Sequence, residues 1–147
     1  MVRKTRKAAQ RSIESEIGTI RKQWRGKTSV ALVYPNRYHV GMSNLGFQTV
    51  YRLLNSFDHV VCERAFLPEN NASETPRPTT VESDRPITDA DIIAFSISFE
   101  NDYPYLLDIL GTAGIPLKSV DRTGRHPLVI AGGVACLLNP EPLAAFI

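Results

Sequence analysis

The sequence predicts an α/β protein: a Rossmann-like, doubly wound parallel sheet in the order 2-1-3-4, with its fifth strand missing and helices on both faces in three αβα layers. Three observations carry this. Ser29-Val30-Ala31-Leu32-Val33-Tyr34 and Ile92-Ile93-Ala94-Phe95-Ser96-Ile97-Ser98 are continuous apolar runs of strand length, the pattern of strands covered on both faces. Each run leads through a polar turn into apolar residues at helical spacing. Strands that alternate with helices in this way pair in parallel through right-handed crossovers.

The elements follow in order. Ile13, Ile17, Ile20 and Trp24 recur at i, i+4, i+7 and i+11, so a helix is expected over residues 12–25, ended by Gly26. It precedes the repeating unit and is an addition to it. After the first strand comes a turn over residues 35–43. A helix follows from Asn44 to Leu54, with Ser43 as its N-cap and Phe47, Val50, Tyr51 and Leu54 as its buried stripe. The second strand runs from Val60 to Phe66. Glu63 and Arg64 within it argue for an edge position with one side in water. Residues 67–86 hold Pro68, Pro76, Pro78 and Pro86, which reads as a long irregular loop in place of a crossover helix. This loop and residues 1–10 are expected to be the most mobile parts.

The third strand spans Ile92 to Ser98. Asn101 or Asp102 caps the next helix, Pro104 sits in its first turn, and Leu106, Ile109, Leu110 and Ala113 bury its face until Gly114 ends it. A fourth strand from Leu128 to Ala131 opens at Gly132-Gly133, and Asn139-Pro140-Glu141 reads as the start of a further helix. A βαβ unit goes on to another strand, so the chain reads as a fragment of a longer protein. Residues 1–27 form a basic arm with the added helix, and residues 28–147 a truncated domain.

Composition bounds the function classes. A chain of 147 residues with 43% hydrophobic and 22% charged residues is an ordinary single globular domain. Its net charge of +2 is too small to argue for nucleic acid. Arg3, Lys4, Arg6, Lys7 and Arg11 all precede the first acid, Glu14. This block reads first as a solvated arm, with contact to RNA or another anionic surface as the alternative. No apolar signal region and no run near the ~20 residues of a membrane span is present. Cys62 and Cys136 fit no zinc spacing and lie in strongly apolar settings, so two reduced, buried cysteines in a cytoplasmic protein are expected.

Ligands of open α/β sheets bind at the carboxyl ends of the strands. Here that rim collects three turns, over residues 35–43, 96–101 and 132–135. The candidate binding residues are Asn36, Tyr38, His39, Gly41, Ser43, Ser96, Ser98, Gly132 and Gly133. The glycines let backbone approach a ligand, the serines offer hydroxyls, and Ser43 starts a helix whose free N–H groups favour oxygen atoms. His59 and His126 read as surface residues.

A strand–loop–helix, then a strand ending Ser96-Ile97-Ser98, then one ending Gly132-Gly133, resembles the cobalamin-binding domain. More narrowly, Tyr34-Pro35-Asn36-Arg37-Tyr38, Gly41-Met42-Ser43-Asn44-Leu45-Gly46 and Asn139-Pro140-Glu141-Pro142-Leu143 look like the N-terminal segment of a large radical S-adenosylmethionine protein family. The resemblance covers about residues 28–147. It implies a cobalamin-binding-like domain ahead of an iron–sulfur barrel, with cobalamin at the rim. The four-iron cluster and S-adenosylmethionine would lie in the missing C-terminal part, which is also the expected partner. The cobalamin D-x-H-x-x-G turn is not met. Anchored on Gly41, its Asp falls at Asn36 and its cobalt-ligating His at Tyr38, with His39 one residue late. Any corrinoid contact is therefore expected to be weak and to lack a histidine ligand. The cluster's C-x3-C-x2-C triad is also absent.

A phosphoacceptor domain would need acids where Tyr34, Pro35 and Asn36 stand, and a dinucleotide-binding domain would need G-x-G-x-x-G after the first strand. An interaction module that docks on a catalytic domain without corrinoid remains the alternative. Self-association at the truncated sheet edge is a further expectation.

Overall fold

A computed structural model describes residues 16–68 and 76–147. Its sheet has four strands: β1 (Thr28–Tyr34), β2 (Val60–Phe66), β3 (Ile92–Ser96) and β4 (Leu128–Gly132). Their order is β2-β1-β3-β4, and every pairing is parallel. The expected doubly wound sheet is present. Alternate residues of β1 point to opposite faces and feed two cores. Ala31 and Val33 join Ile93, Phe95, Val129, Leu106 and Leu110 on one face. Val30 and Leu32 join Phe47, Tyr51, Cys62 and Ala94 on the other. Full burial of a side chain such as Phe47 or Leu106 contributes about 2 kcal/mol.

The helices are α1 (Tyr38–Met42), α2 (Leu45–Ser56), α3 (Tyr103–Ala113) and α4 (Val134–Leu138). The start of α2 differs from expectation. Asn44 is its N-cap, with the side chain accepting the Phe47 N–H at 2.9 Å. Ser43 instead closes α1, and its hydroxyl donates to the Val40 carbonyl at 2.7 Å. The helix expected to start at Asn139 is also displaced. Val134–Leu138 forms the helix, Asn139 ends it, and Pro140 introduces only a 3-10 turn at Glu141–Leu143. Among the described residues no helix is long and apolar enough to cross a membrane.

Two expectations fail for nonlocal reasons. Residues 16–27 form no helix, and residues 12–15 lie outside the described part. The segment is a strap laid across α2 and β2. Tyr51 Oη accepts the Ile20 N–H at 2.8 Å and donates to the Ile20 carbonyl at 3.1 Å, occupying both groups a helix would use. Ile17, the presumed stripe residue, is 98% exposed. Lys22 Nζ donates to the carbonyls of Asn55, Phe57 and Val60 at 2.6, 2.9 and 3.1 Å.

The second failure concerns β2. It is an edge strand, yet Glu63 and Arg64 are 2% and 1% exposed. Residues 79–86, in the proline-rich loop, fold back on that edge through an antiparallel bridge from Thr80 to Ala65, and a second bridge from Thr79 to Pro86 closes the loop on itself. Arg64 then pairs with Glu82 (Nε–Oε1, 2.6 Å) and with Glu16 of the strap (Nη1–Oε1, 2.6 Å), and lies over the Tyr51 ring at 4.5 Å. Burial works against its charge, but the bonds to Glu16 and the attraction of Glu82 outweigh it and push the guanidinium's pKa up. Of the two charges that looked solvent-facing, Arg64 is enclosed in an ion-pair network, and Glu63 accepts hydrogen bonds from Trp24, Thr80 and Ser83. Residues 1–10 and 69–75, expected to be mobile, lie outside the described residues.

Candidate functional site

Strand order reverses between β1 and β3, and their carboxyl ends, with that of β4, open onto a cleft of about 520 Å³. Its floor is Leu32, Ala94 and Ile130 of the sheet. Asn44, Gly46 and Val50 line the α2 side, and Ser96, Ser98, Gly132 and Gly133 the rim. Four of the nine expected site residues therefore meet in one place.

Gly133 is there for the chain's own geometry. Its φ is +105°, and a Cβ would stand 2.3 Å from the Ile97 carbonyl oxygen. The Ile97 N–H donates to the Gly132 carbonyl at 2.8 Å, and the Ala135 N–H to the Ile97 carbonyl at 3.3 Å. These bonds lock the end of β4 to the loop after β3. Around Gly132 there is open space, so this glycine leaves room above the cleft. Ser98 Oγ accepts from Asn44 Nδ2 at 2.9 Å, tying the β3 loop to the start of α2. Asn44 thus caps the helix with its oxygen and braces the cleft with its nitrogen. The signal was available, since Asn three residues before Phe47 is as good a cap as Ser. The first-turn N–H groups of α2 at Leu45 and Gly46 remain for a ligand oxygen.

The residues of the first turn do not reach the cleft. Tyr38 Oη donates to Glu16 Oε2 at 2.9 Å, and its ring packs edge-on against Phe66 at 5.1 Å. Burial, then the Glu16 bond, pushes the phenol up to about 12, so it stays protonated. Gly41 is buried, and a Cβ there would meet Phe66 Cε1 at 2.5 Å; its smallness admits Phe66, not a ligand. His39 is exposed in the last turn of α1. Asn36 is taken up inside the protein. Its Nδ2 donates to Asp102 Oδ1 at 3.0 Å, and its Oδ1 accepts the Arg37 N–H at 2.8 Å.

Asp102 itself was expected only as a helix cap. It stands at the N-cap position of α3, but its side chain makes no capping hydrogen bond; it is 3% exposed, and its Oδ2 has no partner among the described residues. Burial raises its pKa, opposed by the Asn36 bond.

The donor set decides what these residues can hold. An iron–sulfur cluster needs three or four thiolates, and the chain has two cysteines. Cys62 is buried in β2 as expected, its thiol pushed up to about 12 by burial, whereas Cys136 sits apart in α4 and is only half-buried. Among the described residues no three His, Cys, Asp or Glu side chains converge on a metal. The cluster does not fit here. For a corrinoid, the cleft presents small side chains and hydroxyls, but no imidazole and no ionised phenol to meet cobalt.

A family model described as radical SAM proteins, N-terminal, matches residues 46–147. No curated protein and no solved structure matches the chain.

Proposed function

Since the chain belongs to the family of N-terminal regions of radical SAM proteins, we propose that it is the cobalamin-binding-like accessory domain of a radical SAM iron–sulfur enzyme. A catalytic part beyond Ile147 would hold the cluster and S-adenosylmethionine, in the cytoplasm. The observation that carries this reading is the composition of the rim. Leu45, Phe99, Val134, Leu137 and Leu138 stand at the carboxyl ends of the strands, and each is more than half exposed. An apolar surface of this kind marks a docking face, and the catalytic part is its proposed occupant.

Within that rim, Ser96, Ser98, the Leu45 and Gly46 N–H groups and the space at Gly132 suit the polar arms of a corrinoid. Tyr38 is committed to Glu16, so cobalt would receive no ligand from this chain. A second reading, docking without corrinoid, is favoured by Gly41, whose open side Phe66 already fills. Absorbance and electron-paramagnetic titration of the chain with cobalamin test both. Affinity weaker than micromolar, with spectra identical in His39→Ala, is expected. Micromolar or tighter binding, with nitrogen hyperfine coupling that His39→Ala abolishes, overturns the proposal. No spectral change at any concentration selects the second reading.

A further inference from the structure

The end of the sheet opposite the rim holds a larger cleft, of about 690 Å³. It opens where β1 and β3 begin, at Ser29 and Asp91, and is walled by the strap and by the loop carrying Ser83 and Arg85. Lys22, Arg25, Lys27 and Arg85 all line it, with Trp24 among them.

Most of its charged groups are already engaged. Asp91 Oδ2 accepts the Ser29 N–H at 2.8 Å and the Ser29 hydroxyl at 2.7 Å, bonds that hold its carboxyl below the usual range. Glu63 accepts from Trp24 Nε1, Thr80 and Ser83. Lys22 and Lys27 are bonded to backbone carbonyls. Arg25 and Arg85 differ. Both are exposed, and among the described residues neither guanidinium has a hydrogen bond or a carboxylate partner. Arg85 is nonetheless held in place, with its guanidinium carbon 4.8 Å from the centre of the Trp24 ring. Stacking restrains the planar fork and leaves its five donors unused. An oriented arginine without a carboxylate, beside a polar cleft, suits a phosphate oxygen.

The charge distribution says what kind of phosphate. Residues 1–57 hold eleven Lys and Arg against two acids, and residues 58–147 hold six against thirteen. No acid occurs between Glu16 and Asp58. The small net charge conceals a strongly basic N-terminal third that includes the strap. One small anion needs two or three cations, whereas a run of this length suits a polyanion. A membrane surface fits less well. The cleft is concave and polar, and Trp24 Nε1 is tied to Glu63 at 2.8 Å, so the indole is not free to insert among acyl chains.

We infer that this amino-end cleft binds single-stranded nucleic acid by its phosphodiester backbone, with Arg25 and Arg85 as phosphate contacts and the strap as the approach. This site is separate from the rim and independent of the function proposed for it.

Trp24 is the sole tryptophan, so its fluorescence reports on the cleft directly. The full chain is titrated with a 12-nucleotide oligouridylate, the matching oligothymidylate, uridine monophosphate and phosphatidylserine vesicles. A saturable fluorescence change with oligomer is expected, weakening about sevenfold from 50 to 200 mM salt, as two phosphate contacts to a single strand require. The tighter of the two oligomers identifies RNA or DNA as the source. Arg25→Gln with Arg85→Gln weakens oligomer binding at least tenfold and removes most of its salt dependence. Arg37→Gln, at the opposite rim, leaves it unchanged. Three results overturn the inference: equal affinity for the mononucleotide, a response to vesicles and not to oligomers, or oligomer binding indifferent to the Arg25 and Arg85 substitutions.

Discussion

Arg64 shows how far a single residue's environment departs from its local sequence. A charged pair inside a seven-residue strand is visible in the sequence, and so is the edge position of β2. The lid is not visible. It comes from Glu82, eighteen residues on, and Glu16, forty-eight residues back, and no local pattern links them. Removing one partner of a buried pair leaves an uncompensated charge, whereas replacing both with apolar groups is nearly neutral. Arg64→Met strands the buried Glu82 carboxylate and is therefore expected to cost about 3 kcal/mol in urea unfolding; adding Glu82→Gln, which removes that charge but keeps an acceptor for the backbone N–H of residue 64, is expected to recover most of that loss. Equal costs for the single and double variants would mean that the pair's charge is not what holds the lid. The same limit on foresight applies to Tyr38, Gly41 and Asn36. Their types suggested a ligand turn, but Glu16, Phe66 and Asp102 occupy them from distant parts of the chain.

Elements whose own residues carry their reason were legible. The strands β1, β3 and β4 read directly from apolar runs, and α3 from Pro104, its stripe and Gly114, which ends it in the left-handed conformation. The strap was not legible, because its helical spacing is real but Tyr51 and the α2 terminus offer its backbone better partners. α4 was missed for a different reason. Gly132-Gly133 reads as a break, and the break is also the start of a helix. Gly133→Ala would set a Cβ against the Ile97 backbone at a φ of +105°, with strain of about 1–3 kcal/mol. The expected result is a lower unfolding midpoint together with faster amide exchange at Ile97 and Ala135. Gly132→Ala, facing open space, leaves both unchanged. Exchange at Ile97 that is the same in both variants would rule out this locking of β4 to the β3 loop.

At the scale of the molecule, strand order and parallel pairing followed from the alternation of strands and helices alone. What the sheet leaves uncovered follows from the same order. Among the described residues β4 has one hydrogen-bonded neighbour, β3. On the α2 face, Leu128 and Ile130 are 60% and 45% exposed. An apolar, unpaired edge is a template for another strand. The chain by itself is expected to self-associate, its sedimentation-derived mass rising with concentration, and Ile130→Lys to hold it closer to monomer. A mass independent of concentration in the unsubstituted chain would show that the edge is protected by other means.

The grip of Lys22 on Asn55, Phe57 and Val60 has a consequence for the order in which the protein assembles. Lys22 leaves the ribosome some thirty residues before the carbonyls it will hold, and those carbonyls converge only once α2 has closed and β2 has turned back beside β1. The strap is thus synthesised before that unit and can dock only after it is built. Closing a loop of this length brings its entropic cost before any reward. The strap acts as a latch set after the fact: its bonds are expected to slow the opening of a finished unit and to leave the rate of its nucleation unchanged.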